Sequence, residues 1–330
     1  MGSRGNKTLR LEDHWVWDFW LAEDGPDIHI FFLYAPRSLG VEVLRHRNVR
    51  VGHAVSTDLR TWTLLPDALA PGEPGAWDDL SIWTGSIIRV DGMWLLFYTG
   101  TSCADRGLVQ RIGLATSSDL MTWSRHGDRP LIDADPAWYE MLDLRGWGEV
   151  AWRDPWVFRD PDGNGYHALI TARVRSGPLD ARGVIGHAVS SDLVRWDVGP
   201  PISSPAGFGQ LECPQVVQTG GSVTMLFSTA SQHFAESRRQ ASSTPAGSGT
   251  FMCRGPQLLG PFDVAVDSEL LPVTDLYAGK LVHHRGQWFL MGSVSGHGVS
   301  FVGEIADPIP FDPSIPLPSG PSGSRGRPAG

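Results

Sequence analysis

Short apolar runs separated by glycine-containing turns dominate the hydropathy pattern of this chain. The runs 85–90 and 93–98, for example, flank the dipeptide Asp91-Gly92, which is a strong signal for a tight β-hairpin. Comparable hairpins recur along the chain, with turns at Asp24-Gly25, 160–165, Gly220-Gly221 and Arg285-Gly286. Helical periodicity is nearly absent. Five such units spaced about sixty residues apart predict an all-β fold, a five-bladed β-propeller with four antiparallel strands per blade.

A repeated segment supports this prediction. Residues 53–62, 114–123 and 187–196 share the pattern x-Ala-x-Ser-x-Asp-Leu-x-x-Trp. Ser and Asp favour turns because their side chains bond to nearby backbone N–H groups. We therefore interpret Asp58, Asp119 and Asp192 as structural turn residues.

The units predict a single domain over residues 13–312. Residues 1–12 are expected to be a flexible N-terminus, and residues 313–330 a disordered tail rich in Pro, Gly and Ser. The segment 36–50 is basic and joins two strands of the first unit. Within it, we interpret Arg45-His46-Arg47 as a solvated rim, with binding of an acidic substrate as the alternative.

Composition and charge narrow the classes of partner. The 330-residue chain has a formal net charge of −9, which argues against nucleic acid or an anionic membrane as the main partner. Its three cysteines give neither a disulfide framework nor a Cys-x-x-Cys metal pair. No signal peptide and no membrane-spanning run is visible, so a cytoplasmic protein is the expectation. The sequence leaves the oligomeric state open.

The most informative stretch is Val16-Trp17-Asp18-Phe19-Trp20, in which one acid stands among aromatic residues. A carboxylate there is costly to bury without a partner or a function. Strand alternation would send Trp17 and Phe19 to one face and Asp18 to the other. We predict that Asp18 begins the innermost strand of the first blade and points into an axial pocket.

The first strand of every other unit is also preceded by a notable residue. These residues are Trp83, Asp154, Glu212 and Asp275. Because the first strands of a propeller line its axis, the five positions are expected to converge at one end of the channel. Glycoside cleavage needs such carboxylates, one as nucleophile or base and one as the acid that protonates the leaving oxygen. Crowded carboxylates are expected to raise one another's pKa, which suits a general acid near neutral pH, and the apolar neighbour Cys213 is consistent with a raised pKa of Glu212.

Several motifs resemble those of the furanosidase superfamily, the five-bladed propeller glycoside hydrolases of families 32, 68 and 43. Trp152-Arg153-Asp154-Pro155 resembles its Arg-Asp-Pro motif, and Glu212-Cys213-Pro214 resembles the Glu-Cys motif of family 32. Trp83-Thr84-Gly85-Ser86 and Asp275-Leu276-Tyr277-Ala278 resemble two further elements of family 32. Val16-Trp17-Asp18 is closer to family 68, the levansucrases and related fructosyltransferases. Family 32 usually has Asn-Asp-Pro at this point, where this chain has Trp-Asp-Phe.

The resemblance implies a retaining glycosidase or transglycosylase that acts on fructofuranosides such as sucrose and short fructans. It implies that Asp18 is the nucleophile, Glu212 the general acid/base and Asp154 the stabiliser of the transition state. The residues it implies for binding the small saccharide substrate are Trp17, Trp83, Ser86, Arg153, Asp275 and Tyr277. No cofactor is required by this chemistry, and the pair His283-His284 has no further ligand at metal spacing. A structural calcium ion is left open.

Two alternative functions also remain open. One is an inverting family 43-like arabinofuranosidase or xylosidase, and the other is a sugar-binding propeller without turnover. The separation of the two carboxyl groups distinguishes the mechanisms, since about 5–5.5 Å suits retention and about 6.5–9.5 Å suits inversion.

Overall fold

The chain folds into five antiparallel β-sheets, each built from strands that are consecutive in the sequence. The computed structural model describes residues 9–219, 221–241, 247–271, 273, 275–295 and 301–313. Blade 1 contains β1 (His14–Asp24), β2 (Asp27–Pro36), β3 (Arg50–Ser56) and β4 (Thr63–Leu69). Blade 2 contains β5 (Ser81–Val90), β6 (Met93–Thr101), β7 (Arg111–Ser117) and β8 (Ser124–Arg125). Blade 3 contains β9 (Trp152–Arg159), β10 (Tyr166–Arg173), β11 (Gly183–Ser190) and β12 (Asp197–Gly199). Blade 4 contains β13 (Glu212–Thr219), β14 (Ser222–Thr229), β15 (Gly249–Gly255) and β16 (Ser268–Leu270). Blade 5 contains β17 (Leu276–His284), β18 (Gln287–Val294) and β19 (Ile309–Pro310).

Helical segments in the described residues are short connections. They are α1 (Glu236–Ala241), α2 (Val264–Asp267) and the 3-10 turns Arg37–Leu39, Glu42–Arg47, Cys103–Asp105, Leu179–Ala181 and Ser231–His233. Among them there is none with the length and apolar character that crossing a bilayer requires.

The five sheets close into a ring around their first strands. Strand β1 contacts β5, β5 contacts β9, β9 contacts β13, β13 contacts β17, and β17 and β18 return to β1. One cluster of buried apolar side chains fills each of the five seams between neighbouring blades. Burial between sheets is the main stabilising term for such a fold. The predicted five-bladed propeller is confirmed.

The ring is closed by residues from both ends of the described chain. Leu9 is buried and exchanges backbone hydrogen bonds with Ile305, which itself pairs with Ser293 of β18. Leu9 therefore extends the fifth sheet beyond its three named strands, although it falls in the stretch expected to be flexible. The rest of that stretch up to residue 8, and the expected tail from residue 314 onward, lie outside the described residues.

The repeated Ser-Asp segment forms the same turn in three blades. In blade 1, Asp58 Oδ1 accepts hydrogen bonds from the backbone N–H groups of Arg60 and Thr61, both at 2.7 Å. These bonds lower the pKa of Asp58 to about 2. Asp119 and Asp192 accept equivalent bonds in blades 2 and 3. The structural interpretation of these acids agrees with the geometry.

A buried histidine pair occupies blade 1. His53 is 1% exposed, its Nε2 lies 2.8 Å from Nδ1 of His29, and its ring stacks on Phe31 at 4.3 Å between centroids. Burial, reinforced by His29, lowers the pKa of His53 to about 3. Blade 3 repeats the pair with His167 and His187, whereas blade 2 has Leu114 at the position of His53.

We expect the His53→Leu variant to lose part of the acid sensitivity of folding. Below pH 6.5 the unfolded chain binds a proton at this position, but folded His53 does not until its own pKa near 3 is reached. The contribution of His53 therefore lowers the free energy of unfolding as the pH falls through this window, by roughly 3 kcal/mol at pH 4 relative to pH 7. Urea unfolding at pH 7 and pH 4 measures the difference. The exposed variant His126→Gln should keep the wild-type difference, and an unchanged difference in His53→Leu would contradict the assignment.

Candidate active site

Each of the five inner strands is interrupted near its start by a one-residue bulge. The pairing register shifts at Trp17/Phe19 in β1, Trp83/Gly85 in β5, opposite Leu169/Thr171 in β9, Glu212/Gln215 in β13 and Tyr277/Lys280 in β17. Residues at four of these bulges have positive φ angles, namely 33° at Asp18, 58° at Asp154, 53° at Cys213 and 52° at Ala278. A bulge breaks the alternation of side chains, so two successive residues of one strand can face the same side.

The bulges build a single pocket at the starts of the inner strands. They direct into it the pairs Trp17-Asp18, Trp83-Thr84, Arg153-Asp154 and Glu212-Cys213, together with Tyr277 of blade 5. The pocket volume is about 540 Å³, which is in the range typical of small-molecule sites. The three predicted acids therefore share one pocket. The expectation from alternation that Trp17 and Asp18 lie on opposite faces is wrong, because it ignores the bulge.

Asp18 lies on the blade 1 side of the pocket. Its backbone N–H donates to Ser293 Oγ at 2.8 Å, and its Oδ2 accepts from Thr84 Oγ1 at 2.5 Å. The thiol of Cys213 approaches the same oxygen at 3.6 Å. Burial and the charge of Glu212 raise the pKa of Asp18, against the hydrogen bond from Thr84. These contacts fix one carboxylate oxygen and leave Oδ1 without a bond from any described residue.

Asp154 is buried deeper, at 5% exposure. Its Oδ2 accepts from Thr171 Oγ1 at 2.8 Å and from the backbone N–H of Cys213 at 3.2 Å. Burial raises the pKa of Asp154 to about 6, with Arg153 opposing the rise and the charges of Asp18 and Glu212 adding to it. Cys213 thus touches both aspartates and directly follows Glu212.

Glu212 is held by two donors. Arg153 Nη2 donates to its Oε1 at 2.6 Å, and the Tyr277 hydroxyl donates to its Oε2. Burial alone would raise the pKa of Glu212, but Arg153 and Tyr277 more than offset this, so the pKa lies below its ordinary value. The expectation of a raised pKa is wrong, because both oxygens face strong donors rather than the apolar neighbours.

A closed hydrogen-bonded ring fixes the guanidinium of Arg153. Gln110 and Gln210 accept from Arg153 at 2.9 and 2.7 Å, and each donates its side-chain amide to one oxygen of Glu149 at 3.1 Å. Surrounding carboxylates raise the pKa of Arg153 although burial alone would lower it. The sequence did not identify Gln110, Gln210 or Glu149 as pocket residues. The one feature in the sequence that marks these three residues is that each is a polar side chain close to the start of an apolar strand.

The hydroxyl of Tyr277 is the second determinant of the charge on Glu212. Burial and the neighbouring Glu212 carboxylate raise the pKa of Tyr277 far above its ordinary value, so the hydroxyl keeps its proton and remains a donor. A donor favours the ionised form of a carboxyl group. Tyr277 therefore adds to Arg153 in lowering the pKa of Glu212.

We expect Tyr277→Phe to raise the pKa of Glu212, because the variant loses one of the two donors that favour the ionised carboxylate. A ¹³C NMR titration of the protein labelled at its glutamate side chains measures the shift. Tyr34→Phe is the matched control, since that hydroxyl bonds to Asp67 away from the pocket. An unmoved pKa of Glu212 in Tyr277→Phe would rule out this role.

The 3-10 segment Glu42–Arg47 forms a wall of the pocket. The guanidinium of Arg45 lies 4.1 Å from the ring centroid of Phe301 and 5.3 Å from that of Trp17. The backbone carbonyl of His46 accepts from Trp83 Nε1 at 2.8 Å. Burial and Arg45 lower the pKa of His46 to about 3, so its imidazole is neutral. The interpretation of residues 45–47 as a solvated rim is wrong for Arg45 and His46, because aromatic side chains from blades 1, 2 and 5 enclose them.

Two residues expected to bind substrate do not line the pocket. Ser86 is 1% exposed, and its Oγ accepts from the backbone N–H of Val157, which joins blade 2 to blade 3. Asp275 stands just before β17, where its carbonyl accepts from the backbone N–H and the hydroxyl of Ser295. It is Ser295 that reaches the pocket. The remaining predicted binding residues, Trp17, Trp83, Arg153 and Tyr277, all line it.

Among the described residues, no group of three or more His, Cys, Asp or Glu side chains is arranged to hold a metal ion. That the chemistry requires no cofactor stays a prediction. Whether a structural calcium ion binds stays open.

Solved structures of similar shape share this propeller. An inulosucrase from Halalkalicoccus jeotgali, bound to kestose, superposes with a TM-score of 0.73 at 20% identity, covering 92% of this chain and 88% of that one. The β-fructofuranosidase catalytic domain of Microbacterium saccharophilum K-1 gives a TM-score of 0.68 at 17% identity, covering 93% of this chain and 80% of that one. At these identities the likeness shows the fold.

Curated relatives match part of the chain. Beta-fructofuranosidase 1 of Zea mays is 33% identical over 191 residues, which are 56% of this chain and 26% of that protein. Sucrose:sucrose 1-fructosyltransferase of Festuca arundinacea is 29% identical over 204 residues, which are 58% of this chain and 28% of that protein. The match thus covers less than a third of the length of either relative.

A family profile, described as glycosyl hydrolases family 32 N-terminal domain, matches residues 25–257. This range contains Asp154 and Glu212 with their motifs, whereas Asp18 and Tyr277 lie outside it. Because the match spans more than half of the chain, and the fold and the pocket agree with it, the chain belongs to glycosyl hydrolase family 32.

Proposed function

We propose that the protein is a retaining enzyme acting on β-fructofuranosides such as sucrose and short fructans. The observation that supports this best is the convergence of Asp18, Asp154 and Glu212 on one pocket, with Cys213 in contact with both aspartates. Family membership and the fructosyl saccharides bound to similar structures point to the same substrate class.

In the first step, one carboxylate oxygen of Asp18 attacks the anomeric carbon C2 of the fructofuranosyl group. The bond from C2 to the leaving oxygen breaks, and Glu212 transfers its proton to that oxygen, so that an alcohol such as glucose leaves. The products are a fructosyl ester of Asp18 and ionised Glu212. Asp154 accepts hydrogen bonds from sugar hydroxyls and stabilises the positive charge that develops at C2.

In the second step, ionised Glu212 takes a proton from water, and the water oxygen attacks C2. The ester bond to Asp18 breaks, which releases fructose with its original configuration and restores the Asp18 carboxylate. A sugar hydroxyl in place of water gives fructosyl transfer by the same steps. Whether hydrolysis or transfer dominates depends on which acceptor occupies the pocket.

The two pKa shifts act against these roles. The pKa of Asp18 is raised and that of Glu212 is lowered, yet Asp18 must be ionised and Glu212 protonated. Because the carboxyl groups interact, the apparent pKa values of activity belong to the coupled group. A substrate that draws the Tyr277 hydroxyl or Arg153 away from Glu212 would raise its pKa and favour the reactive state.

Two alternatives predict different outcomes of one assay. Sucrose, kestose and aryl arabinofuranoside or xyloside are supplied to the purified protein, and NMR identifies the first-formed anomer. Fructose release with retention supports the proposal. Cleavage of the pentosides with inversion would instead indicate the family 43-like function, and binding of kestose without release would indicate a sugar-binding propeller.

A further inference from the structure

A buried lysine of blade 5 contacts the strand that carries Glu212. Lys280 of β17 is 5% exposed and is one of only two lysines in the chain, beside 25 arginines. Its Nζ donates to the backbone carbonyls of Cys213 at 2.9 Å and Pro214 at 3.1 Å. It also lies 5.4 Å from the ring centroid of Trp156. The steps derived above do not use this residue.

The two carbonyls belong to the bulge that presents Glu212. The pairing of β13 with β14 is interrupted between Glu212 and Gln215, so Cys213 and Pro214 lie outside the regular ladder. Pro214 has no N–H group, and the N–H of Cys213 is already directed to Asp154 and Thr171. Buried carbonyls at such a bulge need donors from elsewhere. Lys280 reaches them from the neighbouring blade.

We propose that Lys280 is a positioning residue that holds the Cys213-Pro214 bulge and thereby fixes the orientation of Glu212. This inference rests on the proposed function, in which Glu212 protonates the leaving oxygen. The backbone of Cys213 is then held on both sides. Asp154 and Thr171 accept from its N–H, and Lys280 donates to its carbonyl. A compact ammonium group fits between two carbonyls, where a planar guanidinium would need more room.

The charge of Lys280 agrees with this position. Burial lowers its pKa, while Cys213, Asp154 and Asp18 act in the opposite direction, which places the ammonium within electrostatic reach of both aspartates. The effect on catalysis is nevertheless assigned to geometry, because the hydrogen bonds are made to the backbone next to Glu212.

Two substrates with different leaving groups distinguish a role of Lys280 in positioning Glu212 from a role in stabilising the fold. Sucrose has a poor leaving group that needs protonation, whereas an aryl fructofuranoside with an acidic phenol does not. We expect Lys280→Met to lower kcat/KM for sucrose by about 10-fold to 100-fold, because a small displacement of a catalytic group has effects of this size. For the aryl substrate, kcat/KM, which reports the first step, should fall by less than about threefold, because the phenol leaves without a proton from Glu212.

Lys280→Gln is the second variant, in case Lys280→Met does not fold. Its amide retains donors but not the charge or the full reach, so it is expected to give an intermediate loss with the same dependence on the leaving group. Gln215→Leu is the matched control in the same seam. Gln215 exchanges side-chain bonds with the backbone of Leu281, one residue beyond Lys280, so its loss should affect both substrates equally.

Equal losses of kcat/KM on both substrates in the Lys280 variants, or no loss, would overturn the inference. An inactive wild-type protein would instead contradict the proposed function. One measurement needs no variant at all. Lysine-selective ¹⁵N labelling should show one slowly exchanging ammonium group in the folded protein, and its absence would show that Lys280 is not held by the two carbonyls.

Discussion

Replacing Asp18 by asparagine is expected to lower kcat/KM for sucrose by about 10⁴-fold or more, as removal of a nucleophile does in other covalent enzymes. Asparagine has nearly the same shape and can still accept the hydrogen bond from Thr84, so the pocket should keep its form. It cannot form the fructosyl ester, and the covalent route is closed. Initial-rate kinetics on sucrose with the purified variant measures the loss, and sucrose binding by calorimetry should persist.

Asp58→Asn is the matched control for this variant. It makes the same chemical change in the same blade, but at a turn whose carboxylate bonds to the backbone N–H groups of Arg60 and Thr61. Activity should remain at the wild-type level, with only a modest loss of stability. If Asp18→Asn retained more than a few per cent of the wild-type activity, Asp18 would not be the nucleophile.

Glu212→Gln is expected to separate the two steps of the reaction. With sucrose, kcat/KM should fall by roughly 10²-fold to 10⁴-fold, the usual contribution of general acid catalysis. With an aryl fructofuranoside the first step should survive, since the phenol leaves without a proton. The second step should then limit turnover, because no base activates water. A burst of phenol followed by a slow steady state is the expected time course.

Sodium azide provides the control for this variant. Azide attacks C2 of the fructosyl ester and displaces Asp18 without needing a base, so it should restore the steady-state rate and give fructosyl azide with retained configuration. Wild-type protein should show no such acceleration. A variant that hydrolyses sucrose at the normal rate, or one that azide does not rescue, would remove Glu212 from the acid/base role.

The fold was predictable because its signals are local. Asp91-Gly92 and the other turns define hairpins, and the repeat ending at Trp62, Trp123 and Trp196 marks equivalent positions in three blades. The three acids were found because each lies within a short motif near the start of an inner strand. These inferences require no knowledge of which strands become neighbours.

The bulges and the pocket wall were not predictable in the same way. A bulge depends on the pairing of one strand with another, and its one local sign is proline at Pro155 and Pro214, which cannot donate to the ladder. Arg45 is polar in sequence, yet it stacks on Phe301 from the far end of the chain. The pKa of Glu212 depends on Arg153 and Tyr277, which come from two other blades. Each of these properties arises from contacts between distant segments.

Trapping the fructosyl ester tests the proposed covalent mechanism most directly. Glu212→Gln is mixed with an aryl fructofuranoside and quenched in acid, and mass spectrometry of the peptides locates the added fructosyl group. We expect the group to be attached to Asp18 in the peptide that contains Trp17 and Phe19. Attachment to Asp154 or to any other residue, or the absence of an adduct while phenol is released, would contradict it.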